Sequence, residues 1–312
     1  MNHPSAFSGL RAGAKAAAPG APMRLGSGEH LNLFCRMLLD THDPYRPAIM
    51  DWPALEKEAR DRLVSLPIWD IAVQTEGRAR LNVATYATGI ADPLLKQAVE
   101  LNAFEEGRHQ TVLSHLVRAY GIELAPEPEY VTPKDPEWAF MVTGFSECID
   151  SFFAFGLFDA AKRTGFFPEC LVDTFEPVIQ EEARHILFFV NWVAWHRRTM
   201  RRWRRPFFEL KVLRVWRFLI WERIGIARNV GHGVQDNNFT VTGANQLGAD
   251  IDVGDLVRIC LSENDRRMSR YDRRLPRPSA VPALARFALC FMRSSRKDEH
   301  RRSSCSSCCG GS

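Results

Sequence analysis

The sequence contains nearly the same five-residue word twice, as Glu-Glu-Gly-Arg-His at 105–109 and as Glu-Glu-Ala-Arg-His at 181–185. In each copy the second glutamate and the histidine are three positions apart. Residues with this spacing are neighbours on a helix surface, so each pair aims a carboxylate and an imidazole the same way. Both groups are common metal ligands. The repeated word therefore predicts two halves of one metal site, and the pairs are Glu106 with His109 and Glu182 with His185.

Both pairs lie on otherwise apolar helix faces. Leu95 and Val99 precede the first pair at helical spacing, and Val178 and Phe189 flank the second. Such stripes face the interior of a protein. A buried carboxylate must be paired, neutralised or bound to a metal. Two buried Glu/His pairs that face each other would be costly without a cation, which favours a metal site over a chance repeat.

Two further glutamates lie on otherwise apolar helix faces. One precedes the first repeated segment, and the other lies between the two repeats. Glu76 lies in a row of apolar residues, although Arg80 at i+4 offers a simple helix ion pair as the alternative. Glu147 lies among small and apolar residues, and Asp150, one turn later, is the competing choice. The small residues around Glu147 would leave room for ions or a ligand.

The candidate ligands now number one glutamate from each of two helices and one Glu-x-x-His pair from each of two others. This set is the one found in di-iron and di-manganese carboxylate bundles. Six mixed oxygen and imidazole donors suit iron or manganese better than structural zinc, which takes four ligands. We expect two iron ions, with manganese as the alternative, bound by Glu76, Glu106, His109, Glu147, Glu182 and His185.

The elements that must position these residues are helical. Apolar residues recur with helical spacing almost throughout, and four long helices are predicted at 67–90, 92–120, 136–164 and 167–199. Short links join the first two and the last two, and a long proline-rich link joins the second to the third. This order of link lengths is typical of two helical hairpins that are joined by a crossover connection. The sequence thus predicts an all-α four-helix bundle.

The remainder of the chain divides at changes in composition. Asp51 is predicted to cap a helix that opens with Trp52 and Pro53. Helices are also expected near 30–40, 207–229, 253–271 and 281–293, and a short alternating stretch lies at 237–246. The predicted organisation is a flexible leader with a short helix at 1–50, the bundle at 51–200, a helical C-terminal extension at 201–295 and a disordered basic, cysteine-bearing tail at 296–312.

On these residues the chain resembles the ferritin-like di-iron carboxylate superfamily, which includes bacterioferritins, rubrerythrins and several di-iron oxygenases. The resemblance covers about 67–199 and rests on the order and spacing of the four glutamates and the two Glu-x-x-His pairs. It implies that Glu106 and Glu182 bridge the two metals. It further implies terminal ligand roles for Glu76, Glu147, His109 and His185.

The first glutamate of each repeated segment is not among the predicted metal ligands. Glu105 and Glu181 lie three positions before Arg108 and Arg184, which predicts surface ion pairs of little energetic weight. The alternative is a supporting role behind the metal ligands.

The resemblance implies redox chemistry with dioxygen. The function expected first is an oxygenase or oxidase that acts on an organic substrate and takes electrons from a donor, neither of which the sequence identifies. The extra mass after the bundle supports it, since iron storage needs no such extension. A ferroxidase or peroxide-handling protein is the alternative. The rubredoxin module of rubrerythrins counts against it, because this chain has one pair at Cys-x-x-Cys spacing, Cys305 and Cys308, and lacks a second.

A third hypothesis is a helical module that binds RNA or an anionic membrane surface. The segment 196–206 carries six arginines. The helix predicted at 207–229 interleaves apolar and basic residues, which fits either a membrane-surface helix or a helix packed on the bundle. A homodimer is a further open alternative. The arginines concerned are Arg197, Arg198, Arg201, Arg202, Arg204 and Arg205.

Composition indicates the cellular compartment of the protein. The 312 residues carry a net charge of +4, and no apolar run is long enough to predict a signal peptide or a transmembrane helix. Five cysteines among apolar residues predict buried free thiols in a reducing, cytoplasmic protein, and they are Cys35, Cys148, Cys170, Cys260 and Cys290. The other three, Cys305, Cys308 and Cys309, lie in the predicted tail.

Overall fold

The computed structural model describes residues 23–47, 50–229 and 252–291, which form helices and connecting loops without any strand. The predicted all-α class is therefore confirmed. The helices are α1 Gly28–Asp40, α2 Lys57–Ser65, α3 Trp69–Thr88, α4 Pro93–Tyr120, α5 Pro136–Thr164, α6 Glu169–Thr199, α7 Arg205–Asn229, α8 Val253–Met268 and α9 Ala280–Phe291, with a 3₁₀ turn at Arg202–Arg204.

Local capping chemistry sets the ends of the long helices. The side chains of Asp92 and Asp135 accept hydrogen bonds from backbone amides in the first turns of α4 and α5, and a proline occupies the first position of each helix. Gly121 and Gly165 end the same two helices in the left-handed conformation, with φ of 69° and 68°. These signals explain why the predicted bounds of the four long helices agree with the structure to within about two residues.

The four long helices form the bundle that holds the site. α3 packs against α4 and α5, and α5 packs in turn against α6. α1 packs against α4 and α6, where buried His30 lies 3.0 Å from the side-chain oxygen of Asn191. The N-terminal helix is thereby fixed to the α4–α6 side of the bundle.

The predicted start of the helix at Trp52 and Pro53, with Asp51 as its N-cap, is wrong. Residues 51–56 are irregular, and α2 begins at Lys57 with Glu56 in the capping position. Trp52 instead packs its ring on Tyr120 and Phe175, at centroid distances of 6.4 and 5.5 Å. The burial of this aromatic ring outweighs the local capping signal, which was the only basis of the prediction.

The C-terminal extension packs on α5. Phe208, Val215 and Leu219 of α7 are buried, and α8 lies along the same helix. This contact explains why α5, which is long and apolar enough to span a membrane, has 61% of its most apolar stretch buried within the protein. The alternating stretch at 237–246, residues 1–22 of the leader and the tail at 296–312 lie outside the described residues.

The cysteine prediction is partly wrong. Cys35, Cys148 and Cys260 are buried free thiols as expected, but Cys170 and Cys290 are exposed. Cys170 lies in the first turn of α6 and Cys290 in the last turn of α9, so both exposed thiols are at helix ends.

Close approach of α8 to α5 gives a stability test. A Cβ atom placed on Gly156 would lie 2.9 Å from the backbone of Cys260 and 2.2 Å from its sulfur. Backbone cannot move aside cheaply, so we expect Gly156→Ala to lower the free energy of unfolding by about 1–3 kcal/mol. Gly28→Ala is the matched control, because a Cβ there meets nothing within 4 Å. Equal urea midpoints for the two variants would show that α8 does not dock as described.

Candidate metal centre

The two Glu-x-x-His pairs meet inside the bundle. Glu106, His109, Glu182 and His185 each offer one ligand atom, and these atoms lie within 4.8 Å of one another. The pairing is crosswise between helices. His109 Nδ1 of α4 lies 3.0 Å from Glu182 Oε1 of α6, and His185 Nδ1 of α6 lies 2.9 Å from Glu106 Oε1 of α4. The repeated word thus produces a nearly two-fold arrangement.

The two additional glutamates face the same cluster. Glu76 Oε2 of α3 lies 3.7 Å from His109 Nδ1. Glu147 of α5 has a buried Oε1 with no hydrogen-bond partner among the described residues. Burial raises the pKa of Glu147 well above its ordinary value, and the charges of Glu106 and Glu182 raise it further. The structure therefore brings all six predicted residues together, and their role as metal ligands stays a prediction.

The structure disfavours two alternatives that the sequence left open, namely Asp150 as a ligand in place of Glu147 and an ion pair between Glu76 and Arg80. Asp150 turns towards α7, where its Oδ2 accepts a hydrogen bond of 2.6 Å from Arg223. Arg80 lies along α4 with its Cδ against Gly107, and within the described part of the chain it forms no ion pair with Glu76. The contacts therefore favour Glu147 over Asp150 and leave Glu76 directed at the cluster.

The first glutamate of each word lies directly behind the opposite histidine. His109 Nε2 lies 2.9 Å from Glu181 Oε2, and His185 Nε2 lies 2.8 Å from Glu105 Oε2. The predicted pairs of Glu105 with Arg108 and of Glu181 with Arg184 are present, each at 3.7 Å. Their predicted position on the surface is wrong, because Glu105 and Glu181 are 0% and 2% exposed. Each helix supplies the carboxylate that orients the imidazole of the other, so the alternative assignment as supporting residues fits the geometry.

The arginine of each word completes this crossed arrangement. Arg184 Nη1 of α6 lies 3.1 Å from Glu105 Oε1 of α4, and Arg108 of α4 forms the equivalent ion pair with Glu181 of α6. Burial opposes ionisation of Glu105, but the hydrogen bond from His185 and the charge of Arg184 together hold the pKa of Glu105 well below its ordinary value. Glu105 therefore stays a carboxylate that accepts hydrogen bonds.

Sequence reasoning missed the residues that close this network from outside. After α1 the chain brings His42 Nδ1 to 2.5 Å from Glu105 Oε1, and Tyr45 donates a 3.1 Å hydrogen bond from its hydroxyl to Glu181 Oε2. Arg108 donates to the backbone oxygen of Asp43 at 2.7 Å. The only available signal was the arginine repeated at the same place in both words. No local pattern indicates which distant loop lies against it.

The free nitrogens of the two histidines are left facing carboxylates. Nδ1 of His109 and of His185 is buried and has no partner that meets hydrogen-bond geometry among the described residues. Burial alone lowers the pKa of both imidazoles, but the hydrogen bonds that Glu181 and Glu105 accept, together with the charges of Glu182 and Glu106, raise the pKa of both well above the ordinary value. Either protons or cations must therefore occupy the space between these nitrogens and the carboxylates.

These shifts predict an unusual pH dependence for the metal-free protein. Burial, together with the charges of Glu106 and Glu182, raises the pKa of Glu76 from 4.5 to about 8. A group whose pKa is raised on folding contributes stability below its unfolded pKa and loses it as the pH rises through the folded value. His109 and His185 shift in the same direction. We expect the unfolding free energy of chelator-treated protein to fall by a few kcal/mol between about pH 5 and pH 8.

The control variants follow from the same linkage. Glu76→Gln should flatten this slope. Glu137→Gln should leave it unchanged, because hydrogen bonds from His196 and Lys211 lower the pKa of Glu137 to about 2, which limits its effect to acid pH. Metal competes with protons for the same atoms, so metal-loaded protein should not lose stability over this range. A flat profile for the metal-free wild type in urea titrations would contradict the described cluster.

Comparisons with known proteins agree with the fold. No protein-family model matches the chain, and no curated protein matches it. A tyrosine-to-phenylalanine variant of an R2-like ligand-binding oxidase with an anaerobically reconstituted Mn/Fe cofactor is 16% identical, with a TM-score of 0.50 over 87% of this chain and 100% of that chain. The same oxidase with an aerobically reconstituted Mn/Fe cofactor is 17% identical, with a TM-score of 0.49 over 79% and 93%.

A third similar structure is a glycine-to-leucine variant of an R2-like ligand-binding oxidase with an Fe/Fe cofactor, 15% identical with a TM-score of 0.48 over 78% of this chain and 93% of that chain. At such identities the likeness bears on the fold alone. The all-α bundle of long helices expected from the sequence is confirmed by the structure itself.

Proposed function

We propose that this chain is an oxidoreductase that activates dioxygen at a two-metal carboxylate centre and acts on an organic substrate. One observation carries the proposal. Both buried histidines have one nitrogen held by a carboxylate behind them, and the other nitrogen points without a hydrogen bond into a group of glutamates. A metal-binding histidine is typically held by such a second contact.

The donors fit iron or manganese. Two ions would be held by four carboxylates and two imidazoles, with Glu106 and Glu182 placed between the two histidines. Cations also resolve the electrostatic problem of the site, because they would accept the lone pairs of both Nδ1 atoms and of Glu147 Oε1. Among the residues that the structure describes, no thiol belongs to this cluster, which argues against a structural zinc site.

The side chains around the centre would tune it. When bound, a pair of such ions supplies the electron transfer to dioxygen that side chains cannot perform. Glu105 and Glu181 would fix the ring orientation of the two imidazoles and keep the proton on Nε2. Arg108 and Arg184 would neutralise those two carboxylates, so that the charge of the metals is balanced by the ligands alone.

The side of the cluster that holds Glu76 and Glu182 is less deeply buried than the side that holds the two imidazoles. The Glu76 and Glu182 side chains are 20% and 14% exposed, whereas both imidazoles are fully buried. α1 and the loop after it cover the opposite side, where Arg184 donates a 2.6 Å hydrogen bond to the backbone oxygen of Leu38. We therefore propose that dioxygen and the substrate approach beside Glu76 and Glu182.

Oxygen uptake tests the proposal. Protein reconstituted with ferrous ion, reduced with dithionite and then freed of excess metal and dithionite without oxygen should consume dioxygen when it is admitted, and a small-molecule extract of cells should increase turnover. The Glu106→Ala protein, treated identically, should consume none. Uptake driven only by added ferrous ion would instead support a ferroxidase, and an equal rate for wild type and variant would contradict a role for the cluster.

The buried free thiols bear on the cellular location of the protein. We propose a cytoplasmic location, which the free thiols of Cys35, Cys148 and Cys260 support because such thiols persist in reducing compartments. The electron donor and a homodimer stay predictions.

A further inference from the structure

The side of α7 that faces away from the bundle is apolar. Phe207 and Trp221 are 69% and 73% exposed, and three aliphatic residues between them are exposed as well. At about 3.6 residues per turn, their positions fall on one side of the helix. We call this surface the outer face of α7, and its apolar residues are Phe207, Leu210, Leu213, Ile220 and Trp221. Exposed apolar patches of this kind mark sites of interaction.

The outer face is also positively charged. Arg214 and Arg217 are exposed between the apolar residues, and neither forms an ion pair with any residue that the structure describes. The two acids of α7 lie at its edges beside other arginines. Glu209 is 2.6 Å from Arg197, and Glu222 is 3.9 Å from Arg223. The arginine-rich turn before the helix adds Arg201, Arg202 and Arg204, all exposed.

We infer that the outer face of α7 binds the surface of an anionic lipid bilayer. Aromatic and aliphatic side chains would enter the boundary between headgroups and acyl chains, as in interfacial helices. The arginines would contact lipid phosphates, each contributing about fivefold in affinity. Tryptophan is enriched at this depth of membranes, which suits Trp221 and the exposed Trp203. The inward residues Val215 and Leu219 stay packed on the bundle meanwhile.

A second copy of the chain fits this face poorly. A two-fold dimer would oppose each patch with its own copy. Arg214 and Arg217 of both copies would then share one interface, and the described residues of this face offer no free acid to compensate, since Glu209 and Glu222 are engaged at its edges. RNA could bind the arginines through its phosphates and the tryptophans through its bases. It would not account for the exposed Leu213 and Ile220, because bases stack on aromatic rings rather than on aliphatic chains.

Vesicle binding by the full chain tests the inference. Purified protein should sediment with vesicles of phosphatidylcholine and phosphatidylglycerol, and much less with phosphatidylcholine alone. Acyl chains labelled with bromine should quench the fluorescence of the wild type more than that of Trp221→Phe. Quenching reports insertion, which a purely electrostatic contact with headgroups would not produce.

Matched variants separate charge from apolar contact. Arg214→Gln with Arg217→Gln should weaken binding to anionic vesicles roughly 25-fold, while Arg78→Gln with Arg118→Gln, two exposed arginines of α3 and α4, should not. Phe207→Ser with Trp221→Ser should weaken it at least roughly tenfold. Val131→Ser removes a side chain that is 81% exposed in the loop before α5 and should have no effect.

Several results would overturn the inference. Absence of binding to either vesicle would do so, as would equal losses in the two arginine pairs. Retention of polyuridylate without retention of vesicles would assign the face to nucleic acid. Self-association abolished by Phe207→Ser with Trp221→Ser, without any vesicle binding, would assign it to a second copy. Unfolding midpoints of all variants should match the wild type, since these side chains are exposed.

Discussion

Glu106→Ala should reduce the metal content of the purified, reconstituted protein from about two ions per chain to nearly none. Glu106 lies 2.9 Å from Nδ1 of His185 and 4.0 Å from that of His109, so its loss removes a donor from both halves of the site. His185→Ala should have a similar effect, because Nδ1 of its ring is one of only two nitrogen donors in the cluster. Elemental analysis after reconstitution with ferrous or manganous ion provides the measurement.

A second readout makes this result independent of activity. Metal should stabilise the wild type by about 3–4 kcal/mol at concentrations of one hundred to one thousand times the dissociation constant, and Glu106→Ala should lose most of this gain. Glu100→Ala on the same helix is the control, because that side chain is exposed and lies 3.9 Å from Lys96. Unchanged metal content in both Glu106→Ala and His185→Ala would remove the basis for a metal centre.

Glu105→Ala should destabilise the protein by about 3–5 kcal/mol even without metal. The substitution leaves the guanidinium of Arg184 buried without its carboxylate, and it removes the partner of His185 Nε2. A buried charge without compensation is among the most costly changes that a single substitution makes. Unfolding in urea at neutral pH, in the presence of a chelator, measures this loss without any contribution from bound ions.

An exposed ion pair provides the comparison. Lys57 Nζ and Asp61 Oδ2 are 2.6 Å apart, but both side chains are mostly exposed, so Asp61→Ala should cost less than about 1 kcal/mol. Glu105→Gln retains the shape of the side chain and should lower metal affinity by roughly 10- to 100-fold while costing less stability than alanine. Equal costs for Glu105→Ala and Asp61→Ala would mean that the crossed network does not exist.

Local sequence patterns were sufficient to predict the four long helices and the six residues that the structure brings together. Proline and aspartate at the starts of α4 and α5, and glycine at their ends, act within one turn of the chain. The spacing of Glu106 and His109 requires only that the segment be helical, and an apolar row around Glu76 or Glu147 requires only that one face be buried. These properties are local, which is why their periodicity was sufficient to predict them.

The residues that surround these six became apparent only from the packing of the helices. Glu105 and Glu181 looked like surface acids because each has an arginine three positions later on its own helix, yet each is buried against the arginine and histidine of the opposite helix. The loop that brings His42 to Glu105 is likewise distant in sequence. Helical spacing specifies which residues share a face, whereas the element that covers this face depends on long-range packing, to which no local pattern is sensitive.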